Sequence, residues 1–138
     1  MVNDISFDEL SIGDSAELTK IITDEDVHAF ANISMDHNPI HLDKDFAKTT
    51  QFKQPIAHGM LSASLISAVI GTVLPGRNTI YLGQTLKFTA PVFIGDTLSA
   101  KISVAEKHEG KNIIKLVTQV FNQADKLVID GHATVLKK

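Results

Sequence analysis

The chain has 138 residues, 43 % of them apolar and 21 % charged, with a net charge of −3 and no cysteine. That length and composition predict one domain over residues 1–138 with a real core. The charge balance offers no basic surface for nucleic acid or an anionic membrane, and the lack of cysteine excludes disulfides, thiolate catalysis and cysteine-ligated zinc. The start, Met1-Val2-Asn3-Asp4, is polar and acidic, so no secretory signal is expected and the cytoplasm is the expected compartment.

Ala16 to Ile22 reads as a short strand. Thr23 then suits an N-cap, with Asp24, Glu25 and Asp26 in the first turn, where negative charge complements the helix dipole. Val27, Phe30, Ala31 and Ile33 are expected to form the apolar face of that helix. Ser34 to Asp43 is polar and predicted to be irregular, because Pro39 disfavours helix at Asn38. Asp43 can cap a short helix through Phe46 and Ala47. A loop around Gln51 to Pro55 leads to a long helix that begins near His58-Gly59. From Gly59 to Gly76 there is no charged side chain. The run is too short for a bilayer span, which needs about 20 apolar residues, and it ends at Pro75-Gly76. It therefore reads as a buried helix, apolar nearly all round and covered on most sides.

Beyond Arg77 the period changes to two. Ile80, Leu82, Leu86, Phe88, Ala90 and Val92 share one face, with Gln84 the polar exception. Gly95-Asp96 and Glu109-Gly110 mark turns. The alternating run from Leu98 to Val104 and the runs around Ile114 to Val120 and Leu127 to Val135 complete four strands, predicted to form an antiparallel meander. Ile113, Val117 and Phe121 make the third of these apolar on its outer side too, which suggests cover by a second subunit. The pattern predicts an α+β architecture: one long central helix wrapped by a curved antiparallel β-sheet, assembled as a dimer.

Several residues could carry chemistry. An aspartate and a histidine held together, such as Asp36 and His41, can orient and activate water; the same spacing also fits a turn aspartate beside an ordinary loop histidine. Gly59 opens the apolar helix, where free backbone N–H groups favour developing negative charge; it fits a plain helix start equally. Ser67 either faces a ligand pocket or bonds back to the carbonyl four residues earlier. Gln84 either contacts a substrate or satisfies a buried carbonyl. His37, His41, Asp36 and Asp43 match no standard metal spacing, so no metal site is expected. No GxGxxG, GxxxxGK[ST] or GxSxG element occurs.

The run Ser34-Met35-Asp36-His37-Asn38-Pro39-Ile40-His41-Leu42-Asp43, followed by Ala57-His58-Gly59-Met60, closely resembles the signature of the MaoC-like (R)-specific enoyl-CoA hydratases. The resemblance continues through Ile80-Tyr81-Leu82-Gly83-Gln84 and Pro91-Val92-Phe93-Ile94-Gly95-Asp96. It implies the hotdog fold and an acyl-CoA thioester substrate bound near the interface of a homodimer or a dimer of dimers. It further implies Asp36 and His41 as the water-activating pair and the Gly59 N–H as oxyanion donor. Asn38, Ser67 and Gln84 are implied as substrate-side residues, Asn38 by shaping the loop. No cofactor is implied, because CoA is part of the substrate. Related hotdog chemistries are the alternatives: a 3-hydroxyacyl-carrier-protein dehydratase, an acyl-CoA thioesterase, or a non-catalytic acyl-CoA-binding subunit.

Overall fold

The structure, a computed structural model, describes residues Met1 to Lys138. The chain opens with β1 (Ser15–Ile21) and α1 (Asp24–Ser34). Thr23 caps α1 as its residue type predicts. Its Oγ1 accepts from the Asp26 N–H at 3.0 Å, and Asp26 Oδ2 accepts from the Thr23 N–H at 3.0 Å. This reciprocal box satisfies N–H groups that a helix start leaves unpaired. Lys20 pairs with Asp26 at 2.9 Å, and its hydrogen bond is the main reason the Asp26 carboxyl sits below its ordinary range. Val27 and Ala31 are buried, but Ile33 is 84 % exposed. Ile33 follows Val27 by six residues, roughly 240° around the helix, so it does not join the apolar face as expected.

The stretch expected to be irregular contains a single helical turn, α2 (Pro39–Leu42). Proline is well placed at the first helical position, where its missing N–H removes no intrahelical bond. Asn38 stays outside the turn and caps it, its Oδ1 accepting from the Ile40 N–H at 3.2 Å. Asp43 caps α3 (Lys44–Lys48), with Oδ1 accepting from Asp45 N at 2.9 Å and Phe46 N at 3.1 Å.

The long helix is α4 (Gly59–Thr72), and Leu61, Ala63, Ile66, Val69 and Ile70 bury its inner side. It is not covered all round. Met60, Ser64, Ser67 and Gly71 form an exposed stripe at helical spacing. After α4 come β2 (Thr79–Gln84), β3 (Lys87–Phe88), β4 (Thr97–His108), β5 (Ile113–Phe121) and β6 (Leu127–Lys137). The sheet is antiparallel in the order β1-β4-β5-β6-β2, with β3 also on β6. It wraps α4 in the hotdog arrangement. Leu98, Ile102, Leu116, Val120, Ile129 and Val135 are buried in one cluster with Ile66, Val69 and Ile70. Each such side chain contributes roughly 1.5–3 kcal/mol by leaving water.

Two strand expectations change. The meander holds for β4, β5 and β6, but β2 pairs with β6 rather than β4. The single alternating strand through Ile80 and Val92 is also broken. A bulge shifts the register between Tyr81 and Gly83, and Thr85 leaves the run to bond His132, accepting from its N–H through Oγ1 at 3.0 Å. Ile80, Leu82 and Phe88 are therefore exposed while Val92 is buried. On β5, Val117 and Phe121 are already half-buried within the chain, and Lys101 Nζ lies 5.0 Å from the Phe121 ring centre. Exposed apolar side chains lie on the edge strands instead, Ile80, Tyr81 and Leu82 on β2 and Leu18 and Ile21 on β1. No helix is long and apolar enough to cross a membrane.

Candidate active site

Asp36 and His41 meet at the mouth of a cavity of about 670 Å³ between α1, the start of α4 and the β3–β4 segment. The local sequence explains how. Met35 ends α1 in the left-handed conformation at φ 68°, which turns the chain sharply. Ser34 Oγ then accepts from the Asp36 N–H at 3.1 Å, and Asp36 Oδ1 accepts from the Asn38 N–H at 3.1 Å. Asn38 caps α2, and α2 carries His41. A chain of short-range side-chain-to-backbone bonds thus fixes the loop, as Asn, Asp and Ser do in turns.

His41 is nearly buried, and its Nδ1 lies 2.6 Å from the Ile56 carbonyl oxygen. A carbonyl oxygen only accepts, so Nδ1 carries the proton and donates it. In the neutral ring Nε2 is then a lone pair. That atom lies 4.0 Å from Asp36 Oδ2. Two acceptors cannot hydrogen-bond each other, but at this separation they suit a water that donates one hydrogen to each, at about 2.8 Å per bond. Burial lowers the His41 pKa below the ordinary histidine value of 6.5, and His58 adds to this. The Ile56 carbonyl and the Asp36 carboxylate raise it part of the way back. Near pH 7 the lone pair is therefore available.

Gly59 is the first residue of α4, and no side chain caps that helix start. Its N–H precedes the first intrahelical bond, and the residue lines the same cavity. A Cβ on Gly59 would lie 2.7 Å from Phe88 Cε1, so the glycine keeps the backbone and Phe88 in close approach. Phe30, Phe52, Phe88, Val92, Val128 and Ile129 give the cavity its apolar surface.

The other expected site residues lie elsewhere. Asn38 caps α2 and is absent from the cavity lining. Ser67 and Gln84 line a second recess of about 520 Å³ with Tyr81, Leu82 and Leu86, which shares Phe30 and Met60 with the first. Back-bonding within α4 falls to Ser64 on Leu61 and Thr72 on Ala68, and Ser67 faces the recess. Gln84 is occupied by protein. Its Nε2 donates to Thr118 Oγ1 and to the Thr85 carbonyl, both at 2.8 Å, and Tyr81 Oη donates to its Oε1. Burial raises the Tyr81 hydroxyl pKa, keeping it a donor.

Asp36, His41 and His58 bring one potential metal ligand each within 4.8 Å of the others. The two imidazoles, however, stack at 3.9 Å with 30° between their planes. Ring nitrogens bind zinc in the ring plane at about 2.0–2.1 Å, and stacked rings do not aim at one such point. The His58 side chain is the residue sequence reasoning passed over. The available signal was a histidine where helix starts favour Ser, Thr, Asp or Asn.

The MaoC like domain model matches residues 11–125. This chain belongs to the MaoC-like family. Within that family, it is 49 % identical over 130 residues to an (R)-specific enoyl-CoA hydratase of Rhodospirillum rubrum, covering 94 % of this chain and 90 % of that one. It is 47 % identical over 131 residues to an (R)-specific enoyl-CoA hydratase of Aeromonas caviae, covering 95 % and 98 %. The solved structure of an unliganded R-hydratase from Pseudomonas aeruginosa superposes with a TM-score of 0.94 at 52 % identity, covering 99 % of this chain and 89 % of that one. MaoC-like relatives of this similarity are hydro-lyases by name, and their fold is the one described above.

Proposed function

We propose that this MaoC-like chain is an (R)-specific enoyl-CoA hydratase, adding water reversibly to a trans-2-enoyl-CoA to give the (R)-3-hydroxyacyl-CoA. The observation that carries this reading is the His41 tautomer. The Ile56 carbonyl holds the Nδ1 proton, and the Nε2 lone pair faces the Asp36 carboxylate 4.0 Å away at the edge of the cavity. A water donating to both groups turns its own lone pair toward the cavity.

The steps follow from that placement. The thioester carbonyl accepts from the Gly59 N–H, and the positive end of α4 stabilises the charge that develops on its oxygen. This draws electrons from the C2–C3 double bond. The water oxygen bonds to C3 while its proton passes to His41 Nε2. The C2–C3 π pair moves into the enolate, and the enolate takes a proton back at C2 from the same side, restoring the pair. In the reverse direction the same groups exchange roles. The chemistry needs no redox group or metal, and CoA travels with the substrate.

The remaining residues support the reaction indirectly. Asn38 holds the loop, Ser67 borders room for the acyl chain, and Gln84 fixes the recess wall through Thr118 and Tyr81. A second copy of the chain would cover β2, whose Ile80, Tyr81 and Leu82 are exposed on a sheet edge, together with the small-residue stripe of α4. Homodimer formation in the cytoplasm is the assembly this reading carries.

The test is loss of enoyl-thioester absorbance with crotonyl-CoA, followed by assignment of the product's configuration. Rapid loss with formation of the (R) alcohol is expected. Release of free thiol would instead identify a thioesterase. Turnover only with carrier-protein thioesters would identify the carrier-protein dehydratase.

A further inference from the structure

His58 is 2 % exposed, and its ring is held on three sides. One face stacks on His41 at 3.9 Å. Phe30 packs against it at 4.9 Å, tilted by 57°. Its Nε2 lies 3.0 Å from the main-chain oxygen of Asp36. We propose that His58 is a positioning residue that sets the Asp36 main chain against the His41 ring, acting through its Nε2–H.

The tautomer follows from the partner. The Asp36 carbonyl can only accept, so Nε2 must carry a hydrogen. Nδ1 is buried and has no partner in the protein. A proton there in place of Nε2 would be a buried donor without an acceptor, which is costly. The bond to Asp36 therefore requires the proton on Nε2.

The positioning role follows from what else holds Asp36. Its other hydrogen bonds reach only Ser34 and Asn38, two residues away on either side. His37 bonds Met35 within the same turn, and the Met35 N–H donates back to the Ala31 carbonyl of α1. These bonds fix the turn internally and to α1, but none of them joins Asp36 to α4. The His58 bond spans 22 residues and ties that turn to α4. His41 is tied to the same segment two residues earlier, through the Ile56 carbonyl. The four residues Ile56 to Gly59 thus register three parts of the reaction: the imidazole, the carboxylate and the Gly59 N–H. A displacement of about 1 Å among reacting groups can cost on the order of 100-fold in rate.

This inference rests on the hydratase reading, so the experiment includes Asp36→Asn beside two His58 variants. His58→Phe keeps a ring between His41 and Phe30 but loses the donor. His58→Gln loses the ring but can present an N–H near the same place. Melting curves check the fold, and kcat and KM are measured with crotonyl-CoA. We expect His58→Phe to lower kcat about 100-fold with little change in KM, and His58→Gln to recover to within about tenfold of the parent. An inactive Asp36→Asn beside a folded, fully active His58→Phe would overturn the positioning role and leave the hydratase reading intact. An active Asp36→Asn would overturn the reading itself. Equal losses in Phe and Gln variants would overturn the donor's part. Should neither variant fold, nitrogen-15 spectra of the parent protein decide. A proton on His58 Nε2 supports the assignment, and a ring protonated on Nδ1 alone overturns it.

Discussion

The segment from Ser34 to Ala57 and the sheet of β4, β5 and β6 keep their shapes by different means. In the sheet, Leu98, Ile102, Ile114, Leu116 and Val120 are almost wholly removed from water, and the ladder bonds satisfy the backbone. In the segment few side chains are buried, and order comes from Ser34, Asp36, Asn38 and Asp43 bonding nearby N–H groups. Four long-range bonds fasten it: Ile56 N–H to the Ile40 carbonyl, Ala57 N–H to the Val92 carbonyl, His41 to Ile56, and His58 to the Asp36 carbonyl. The proposed chemistry sits on the part held by polar geometry, and the part held by burial serves as its bench. Such a division lets a carboxylate remain half-exposed, free to hold water, beside an imidazole that is nearly buried.

The largest effect expected on this contrast is from Asp36→Asn. The amide keeps the loop's acceptor oxygen for Asn38 but loses the charge that complements the imidazolium formed during attack. Turnover should fall about 1,000-fold, or about 4 kcal/mol of barrier, with the melting temperature nearly unchanged. A parallel fall in stability would show that the segment and the sheet are not separable. Leu116→Ala should do the opposite. It removes a fully buried side chain from β5 and should cost about 3 kcal/mol of unfolding free energy, with kcat of the folded fraction close to the parent's. Denaturant titration alongside single-temperature kinetics checks both.

Asn38→Ala tests the link between the two regions. It removes the Oδ1 cap of α2, worth about 1 kcal/mol. Because α2 carries His41, we expect kcat to fall about tenfold while global unfolding shifts little. An unchanged kcat would mean that the Ile56 carbonyl alone fixes the imidazole.

The same division explains what the sequence disclosed. Local chemistry was legible: Thr23 and Asp43 cap the helices that follow them, and period-two runs mark β4 to β6. The Asp36–His41 proximity was readable because both residues lie on one capped loop. Partners across long separations were not. Nothing local says that β2 crosses to β6, since pairing depends on the whole sheet. Gln84 was ambiguous because its use depends on Thr118, 34 residues away. Ser67 and Gln84 fall in a neighbouring recess rather than beside Asp36, because Ser67 sits about two turns along α4 from Gly59 and Gln84 ends β2. The His58 bond to Asp36 spans a loop whose path is set by tertiary packing, so only its unusual residue type at a helix start could hint at it.

The smallest effect is a displacement along the pH axis. In the proposed mechanism water activation needs the His41 Nε2 lone pair, so activity should be lost when that nitrogen takes a proton. Burial, the first cause, and His58 favour the neutral ring, while the Ile56 carbonyl and Asp36 oppose them without restoring the ordinary value. A lowered pKa keeps the ring neutral to lower pH. The acid limb of kcat/KM, which reports the free enzyme, should therefore lie below pH 6.5 rather than at or above it. The half-exposed Asp36 carboxylate works against this shift, so a limb at or above 6.5 would mean that it outweighs burial. His41 would then behave like a surface histidine, and the contrast between an open carboxylate and an enclosed imidazole would fail at the residue where it matters for the reaction.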